Sequence, residues 1–321
     1  MKSLKKLLFI LPLVFLVACG GADTGARISR NLNMATGGTG GTYYPFGGAM
    51  ALTINNNTEL NITVNASGAS ADNIRQISVG DAHLAIAQND VMHYAATGTG
   101  IFDGHEPITN LATLMSLYPE TVQIVVLADS GIYSVEDLRG RRVSTGDIGS
   151  GVAANANQVL NMHGLTTDDI NQVHLGFGPS ADAMRDLVLD AFFVTAATPN
   201  TAVMELSTSR NLRILNIEDD MIQALMAAHP FYVRVRVDSS DYPFIETPVY
   251  TVAVQATLIA STEMDEQQAY DIVEALIDNQ QEVLQGHARG AYISLENAVQ
   301  SISVDFHPGA RRFFEERGAL N

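Results

Sequence analysis

The chain has 321 residues, enough for two domains with separate cores. It carries 35 acidic and 18 basic residues, giving a formal net charge of −17, and its only lysines are Lys2, Lys5 and Lys6. A chain this acidic is poorly suited to bind nucleic acid or an anionic membrane surface. The single cysteine, Cys19, excludes an internal disulfide.

Residues 1–18 have the pattern of an export signal peptide. The three lysines precede an apolar run at 7–17, which is shorter than a transmembrane helix requires. Leu16-Val17-Ala18-Cys19 resembles the lipobox of bacterial lipoproteins, so Cys19 is the predicted lipidation site and anchor; the alternative is a secretory signal with an incidental cysteine. Residues 19–27 are predicted to be a tether. Loss of the lysines takes the formal charge from −17 to −20.

A glycine-rich loop at 35–45 lies between a short apolar stretch and a helix-like stretch at 46–54. Such loops direct backbone N–H groups toward one point beside the positive end of a helix dipole. The predicted ligand is an anion such as a carboxylate. Phosphate is disfavoured, because the lysine-containing phosphate motif and the G-x-G-x-x-G spacing are absent. Gly41 and Thr42 are the candidate N–H donors, and Tyr43 is a candidate to stack on the ligand or hydrogen-bond to it. A simple tight turn is the alternative.

The following segments alternate between predicted strands and helices. Apolar residues at 60, 62 and 64 predict a strand, and Ser70 should cap a helix that runs to Val79, with Ser67 in the loop between them as a further candidate ligand residue. A strand at 84–87 delivers Gln88 at its carboxyl end, where a neutral amide can serve either a carboxylate or an ammonium group.

The second half of the chain continues the pattern and ends in a helical region from residue 266. Strands are predicted at 123–128, 142–144, 173–177, 211–215 and 249–259, and helices at 152–163, from 180, and at 221–228.

A second glycine loop at 144–151 repeats the plan of the first. The later segments Asp81–Ala87 and Asp190–Ala196 also resemble each other, and each begins 46 positions after the start of its loop, at 35 and 144. This internal similarity predicts two equivalent α/β lobes whose loops meet at one cleft. Ser150 and Gly151 are therefore the second predicted anion site, and Thr195 is expected to end the lobe-two counterpart of the strand that delivers Gln88.

The predicted fold class is α/β, with two lobes, mostly parallel sheets, flanking helices and a β hinge. Lobe one comprises 28–125 and 252–321, and lobe two comprises 126–251, because the two long apolar strands flank the second repeat.

The ordered motifs resemble the TAXI family, the extracytoplasmic solute-binding subunits of tripartite ATP-independent periplasmic (TRAP) transporters. The resemblance runs from about residue 32 to the end and rests on several segments in order: 37–45, 84–90, 117–120, 149–151, 190–193 and 307–310. It implies a type II-like periplasmic-binding-protein fold that closes on a small organic acid or amino acid, and a membrane permease as partner. Val152 stands where the family usually has a threonine, so one hydroxyl of the ligand shell is absent.

Other function classes fit less well. The eight histidines lack metal-ligand spacing, no cofactor is predicted, and the chain has no G-x-S-x-G motif and no catalytic constellation. A periplasmic hydrolase is therefore disfavoured, whereas a binding protein that reports ligand to a membrane receptor is the open alternative. The sequence does not choose among glutamate, pyroglutamate and 2-oxoacids.

Overall fold

A computed structural model describes residues 29–320 of the chain. The predicted signal peptide, tether and Cys19 lie outside these residues. Within them, every helix is too short or too polar to cross a membrane.

Within the described range the chain forms ten strands. They are β1 (Asn31–Ala35), β2 (Asn61–Asn65), β3 (Leu84–Gln88), β4 (Leu111–Leu127), β5 (Arg142–Ser144), β6 (Asn171–Val173), β7 (Ala191–Ala196), β8 (Leu212–Ile214), β9 (Val233–Val237) and β10 (Val249–Ser261).

Eleven α-helices accompany these strands in residues 29–320. They are α1 (Tyr43–Asn57), α2 (Ser70–Val79), α3 (Asn89–Thr97), α4 (Gly151–Met162), α5 (Phe177–Arg185), α6 (Thr201–Ser207), α7 (Asp219–Ala228), α8 (Glu266–Asp278), α9 (Gln280–Gly286), α10 (Leu295–Ala298) and α11 (Pro308–Glu316).

The strands make one mixed sheet in the order β2-β1-β3-β10-β4-β7-β5-β6, with β8 beside β4 and β9 beside β10. The outer triplets β2-β1-β3 and β7-β5-β6 are parallel, as predicted. The two long strands β4 and β10 pair antiparallel with each other and with the triplets, which joins both triplets into a single sheet.

The predicted internal repeat is present in the architecture. The first βαβαβ unit (31–88) runs β1-α1-β2-α2-β3, and the second βαβαβ unit (142–196) runs β5-α4-β6-α5-β7. In each unit the first strand lies between the other two. The carboxyl ends of β1 and β5 lead into the glycine loops, so the loops occupy equivalent places.

The long strands connect the two halves of the sheet. β4 pairs with β10 from Leu111 to Thr121 and with β7 from Thr121 to Val126. The predicted lobe boundaries at 125/126 and 251/252 fall inside β4 and β10, and they stay predictions.

Apolar burial is divided between the halves. Phe46 of α1, Tyr118 of β4 and Phe313 of α11 belong to one buried cluster, so the C-terminal helices pack on the first half. Ile124, Val159 and Phe193 belong to a separate cluster in the second half.

Several predicted boundaries agree with the structure. The helix that runs to Val79 is α2, and Gly80 ends it with φ of 82°, a conformation that glycine adopts without steric cost. The predicted cap was wrong, because Ser70 is the first residue of α2 and its hydroxyl accepts from Gln88 N rather than from an N–H group of the helix. The strands at 84–87, 142–144 and 249–259 correspond to β3, β5 and β10.

Other predictions were wrong. The strand expected at 173–177 ends at Val173, and α5 begins at Phe177 rather than at Ser180; Pro179 fits there because the first turn of a helix tolerates proline. The strand expected at 123–128 is the end of the much longer β4, and α3, α6 and β9 were not predicted.

Candidate functional site

A cavity of about 550 Å³ lies between the two βαβαβ units. This volume lies in the usual range of small-molecule sites, about 300–1,000 Å³. Its walls come from both glycine loops, the ends of β3 and β7, the starts of α1, α2, α4, α5 and α6, and one residue of β4. The lining residues are Gly37, Gly38, Thr39, Gly40, Gly41, Thr42, Tyr43, Ala69, Ser70, Gln88, Glu120, Asp147, Ser150, Gly151, Val152, Gly176, Phe177, Gly178, Pro179, Thr195, Ala196, Thr201, Ala202 and Glu205.

The structure brings eight of the nine predicted ligand residues to this cavity. They are Gly41, Thr42, Tyr43, Gln88, Ser150, Gly151, Val152 and Thr195. Ser67 lies outside the lining: its hydroxyl donates to Asn73 Oδ1 at 2.5 Å and accepts from Ala69 N. Its side chain therefore organises the turn before α2.

The two glycine loops close in the same way. Gly41 N donates to Gly38 O at 2.9 Å, and Ser150 N donates to Asp147 O at 3.0 Å. Each pair spans three residues, which is a turn hydrogen bond. The predicted N–H donor at Gly41 is thus engaged inside its own loop.

The hydroxyl of Ser150 is also engaged locally. It donates to Asp147 O and accepts from Ala153 N, which caps the start of α4. The groups left for a ligand are the N–H groups of Thr42, which immediately precedes α1, and of Gly151, the first residue of α4, since N–H groups at a helix start lack acceptors within their helix. Both helices direct the positive ends of their dipoles to the cavity.

Gln88 is the last residue of β3 and Thr195 the next-to-last residue of the equivalent strand β7, and both are almost fully buried. Among the described residues, Gln88 Oε1 and Thr195 Oγ1 have no hydrogen-bond partner. Buried polar atoms are rarely left unpaired, because desolvation without a partner costs about 1–3 kcal/mol. Two such atoms at equivalent positions in the wall of one cavity indicate a binding site.

The second unit contacts the first directly beside the cavity. Gly149 O accepts from Ala71 N at 3.0 Å and from Asp72 N, so it occupies the N-terminus of α2. Gly151 packs against the amide of Gln88 so closely that an ideal Cβ on Gly151 would lie 1.2 Å from Gln88 Oε1. The two units therefore meet through groups that leave no room for a side chain at Gly151.

Glu120 of β4 is a site residue that the sequence reasoning did not select. It is 2% exposed and accepts a hydrogen bond from Tyr43 OH at 2.6 Å. Burial raises the pKa of its carboxyl well above the usual range, although the Tyr43 hydrogen bond acts in the opposite sense. Burial and the neighbouring Glu120 carboxyl raise the pKa of Tyr43, so Tyr43 remains the donor of this pair.

A buried polar network joins the units behind the cavity, with Asn155 of α4 at its centre. Asn155 Oδ1 accepts from Gln88 Nε2 at 2.8 Å, and its amide donates to Asp90 Oδ2 at 2.9 Å and Tyr232 OH at 2.8 Å. Tyr232 OH in turn donates to Gln158 Oε1 at 2.6 Å. Buried polar groups that are all hydrogen-bonded favour one arrangement of the segments that carry them, here α4, the end of β3 and the start of α3.

The carboxyl of Asp90 gives the network a pH dependence. Burial raises its pKa from 3.8 to about 6, against the opposing effect of hydrogen bonds from Val91 N and Asn155. The folded state then holds this proton more tightly than the unfolded state, so stability falls as pH rises from about 4 to about 6.

We expect Asp90→Asn to gain about 2 kcal/mol in free energy of unfolding relative to wild type between pH 4 and pH 7. Urea unfolding at several pH values measures this difference, with Asp81→Asn, a change at an exposed aspartate, as control. A difference between wild type and Asp90→Asn that stays constant across this range would contradict the assignment.

The charges of the lining are one-sided. Glu120, Asp147 and Glu205 are acidic, and none of the described lining residues is Lys, Arg or His. Arg75 of α2 lies outside this lining, with its guanidinium 5.0 Å from the centre of the Phe102 ring. Within residues 29–320, no cluster of three or more His, Cys, Asp or Glu side chains could hold a metal ion.

The fold is that of periplasmic binding proteins. Among solved structures, the chain is similar to a protein of Bordetella bronchiseptica RB50 (15% identity, TM-score 0.54, 91% of this chain and 90% of that chain). It is also similar to a structure described as a periplasmic transporter (14%, 0.50, 90% and 93%). A third is a binding protein component of an ABC phosphonate transporter from Pseudomonas aeruginosa (8%, 0.50, 81% and 78%). At these identities the likeness establishes the fold alone.

The model of the NMT1-like family matches residues 34–318. The chain belongs to this family.

Proposed function

We propose that the protein is an extracytoplasmic solute-binding lipoprotein of the TAXI type. It captures a small carboxylate, glutamate-like or 2-oxoglutarate-like, between two lobes and delivers it to a TRAP-type membrane permease. Cys19 carries the lipid anchor, and lobe two comprises residues 126–251. The observation that carries the proposal is the cavity between the two βαβαβ units, where two equivalent helix N-termini and two unpaired buried polar atoms converge.

The chemistry of the wall supports a carboxylate at the helix starts. Several N–H donors can replace an arginine, because a hydrogen bond to a charged group contributes about 1.5–3 kcal/mol. The N–H groups at Thr42 and Gly151 supply these donors, and the dipoles of α1 and α4 add to them. The family motifs at 37–45 and 149–151 provide the same loops. The solved relatives named above are binding proteins or transporters by their titles where a function is given, which favours binding over catalysis.

Calorimetry with L-glutamate and 2-oxoglutarate tests the proposal. We expect at least one to bind wild type, and X-ray scattering to show a smaller radius of gyration at saturation, since the cavity uses both units. Gly41→Val should abolish binding: even a Cβ at Gly41 would lie 3.3 Å from Gly38 O and 3.6 Å from the Phe177 ring, so the further valine methyls would fill cavity space.

Arg75→Ala is the matched control, because Arg75 lies outside the cavity lining. Its affinity should remain close to that of wild type. Loss of carboxylate binding in Arg75→Ala, together with unchanged binding in Gly41→Val, would overturn the site.

A further inference from the structure

We propose that the ligand carries an ammonium group beside its carboxylate, and that Glu120 is the counter-ion of this group. This inference rests on the proposed carboxylate-binding function and narrows it to amino acids over the corresponding 2-oxoacids.

The first observation is the balance of charge in the cavity. Three carboxyl side chains line it, at Glu120, Asp147 and Glu205, and the described lining contains no cationic side chain. None of the three forms a salt bridge within residues 29–320. Asp147 and Glu205 disfavour a ligand that bears only negative charge, whereas a zwitterion supplies a cation beside which the Glu120 carboxyl can ionise.

The second observation is the placement of Glu120. It is 2% exposed, lies in the cavity wall, and has Tyr43 OH as its hydrogen-bond partner through Oε2. An ionised carboxylate in such a position requires a partner, because burial of an unpaired charge is strongly unfavourable. An ammonium group from the ligand satisfies it with a charge-assisted hydrogen bond.

The third observation is the proximity of Glu120 to the anion-binding groups. Tyr43 is the first residue of α1, and its side chain reaches Glu120. The N–H groups at the start of α1 and the carboxyl of Glu120 are thus one tyrosine side chain apart. This arrangement fits a ligand whose carboxylate and ammonium group are close together, as in an α-amino acid. The unpaired Gln88 Oε1, also in the wall, is a further acceptor there.

Matched ligand pairs test the inference on the wild-type protein. L-glutamate is compared with 2-oxoglutarate, L-alanine with pyruvate, and L-leucine with 4-methyl-2-oxopentanoate, each by calorimetry. We expect the best-bound amino acid to bind at least tenfold more tightly than its 2-oxoacid. If the 2-oxoacid binds as tightly, the inference is overturned while the carboxylate function stands. If neither member of any pair binds, both are overturned.

The role of Glu120 is tested with Glu120→Gln, which keeps an acceptor for Tyr43 and removes the charge. We expect amino-acid affinity to fall at least tenfold and 2-oxoacid affinity to stay the same or rise. Glu120→Asp keeps the charge and should retain the preference for the amino acid. Glu136→Gln, a change at an exposed glutamate outside the cavity, should bind like wild type. The assignment would be overturned if Glu120→Gln kept the wild-type ratio of amino-acid to 2-oxoacid affinity, or if Glu120→Asp lost that ratio.

Discussion

Gly151→Ala is expected to hold the two βαβαβ units apart. The new Cβ would lie 1.2 Å from Gln88 Oε1 and 2.3 Å from Gln88 Cδ, distances that no packing allows. Gln88 cannot swing away cheaply, because it is 2% exposed and its amide donates to Asn155. Gly151 is not among the residues with positive φ, so the effect would come from this contact and not from backbone strain. We expect a larger radius of gyration by X-ray scattering and at least a tenfold loss of ligand affinity.

A second substitution provides the decisive control. Gln88→Ala removes the atoms that the new methyl group meets, so Gly151→Ala combined with Gln88→Ala should recover the compact form. Gly48→Ala, in α1, adds a methyl group into open space and should leave the scattering profile unchanged. If Gly151→Ala scatters like wild type, or if Gln88→Ala does not restore the compact form, the contact does not control the approach of the units.

Asn155→Ala is expected to destabilise the protein by about 3 kcal/mol at pH 7. Its side chain is fully buried and bonds Gln88, Asp90 and Tyr232. Truncation leaves the buried Asp90 carboxylate without that donor and leaves the Gln88 amide without an acceptor. Unsatisfied buried groups cost about 1–3 kcal/mol each, and more when charged.

Urea unfolding measures this loss, and Asn161→Ala is the control. Asn161 lies on the same helix, α4, but on its exposed face. Exposed substitutions usually change stability by less than about 0.5 kcal/mol. Equal losses in the two variants would show that the network contributes nothing specific.

Local signals carried much of the prediction. Gly80 determines the end of α2, because a left-handed glycine depends only on its neighbours in the chain. The two glycine loops were likewise recognisable as a repeat, and the turn bonds of Gly41 and Ser150 show the same geometry in both copies. The placement of eight predicted residues in one cavity followed from the rule that strand ends meet at one edge of a sheet.

The sequence motifs did not predict the local hydrogen bonds that occupy several of the candidate ligand groups. Gly41 N and the Ser150 hydroxyl bond within their own loops, and Ser67 bonds within the turn before α2. The sequence pattern could place these residues near a site, but it could not show that their donors were already engaged. The sequence showed Glu120 only as part of the 117–120 motif. Its place in a cavity wall without basic side chains depends on which chain segments surround it.

By itself the sequence determined the class of fold, the repeat and the two loops, because these follow from hydropathy period, glycine positions and caps within short stretches of chain. Only the tertiary structure decided that β4 and β10 join both triplets into one sheet, that Gly151 packs on Gln88, and that Asn155 bonds Asp90. These contacts join residues more than 60 positions apart, and their partners are selected by the packing of whole elements. No local pattern in the chain specifies that packing.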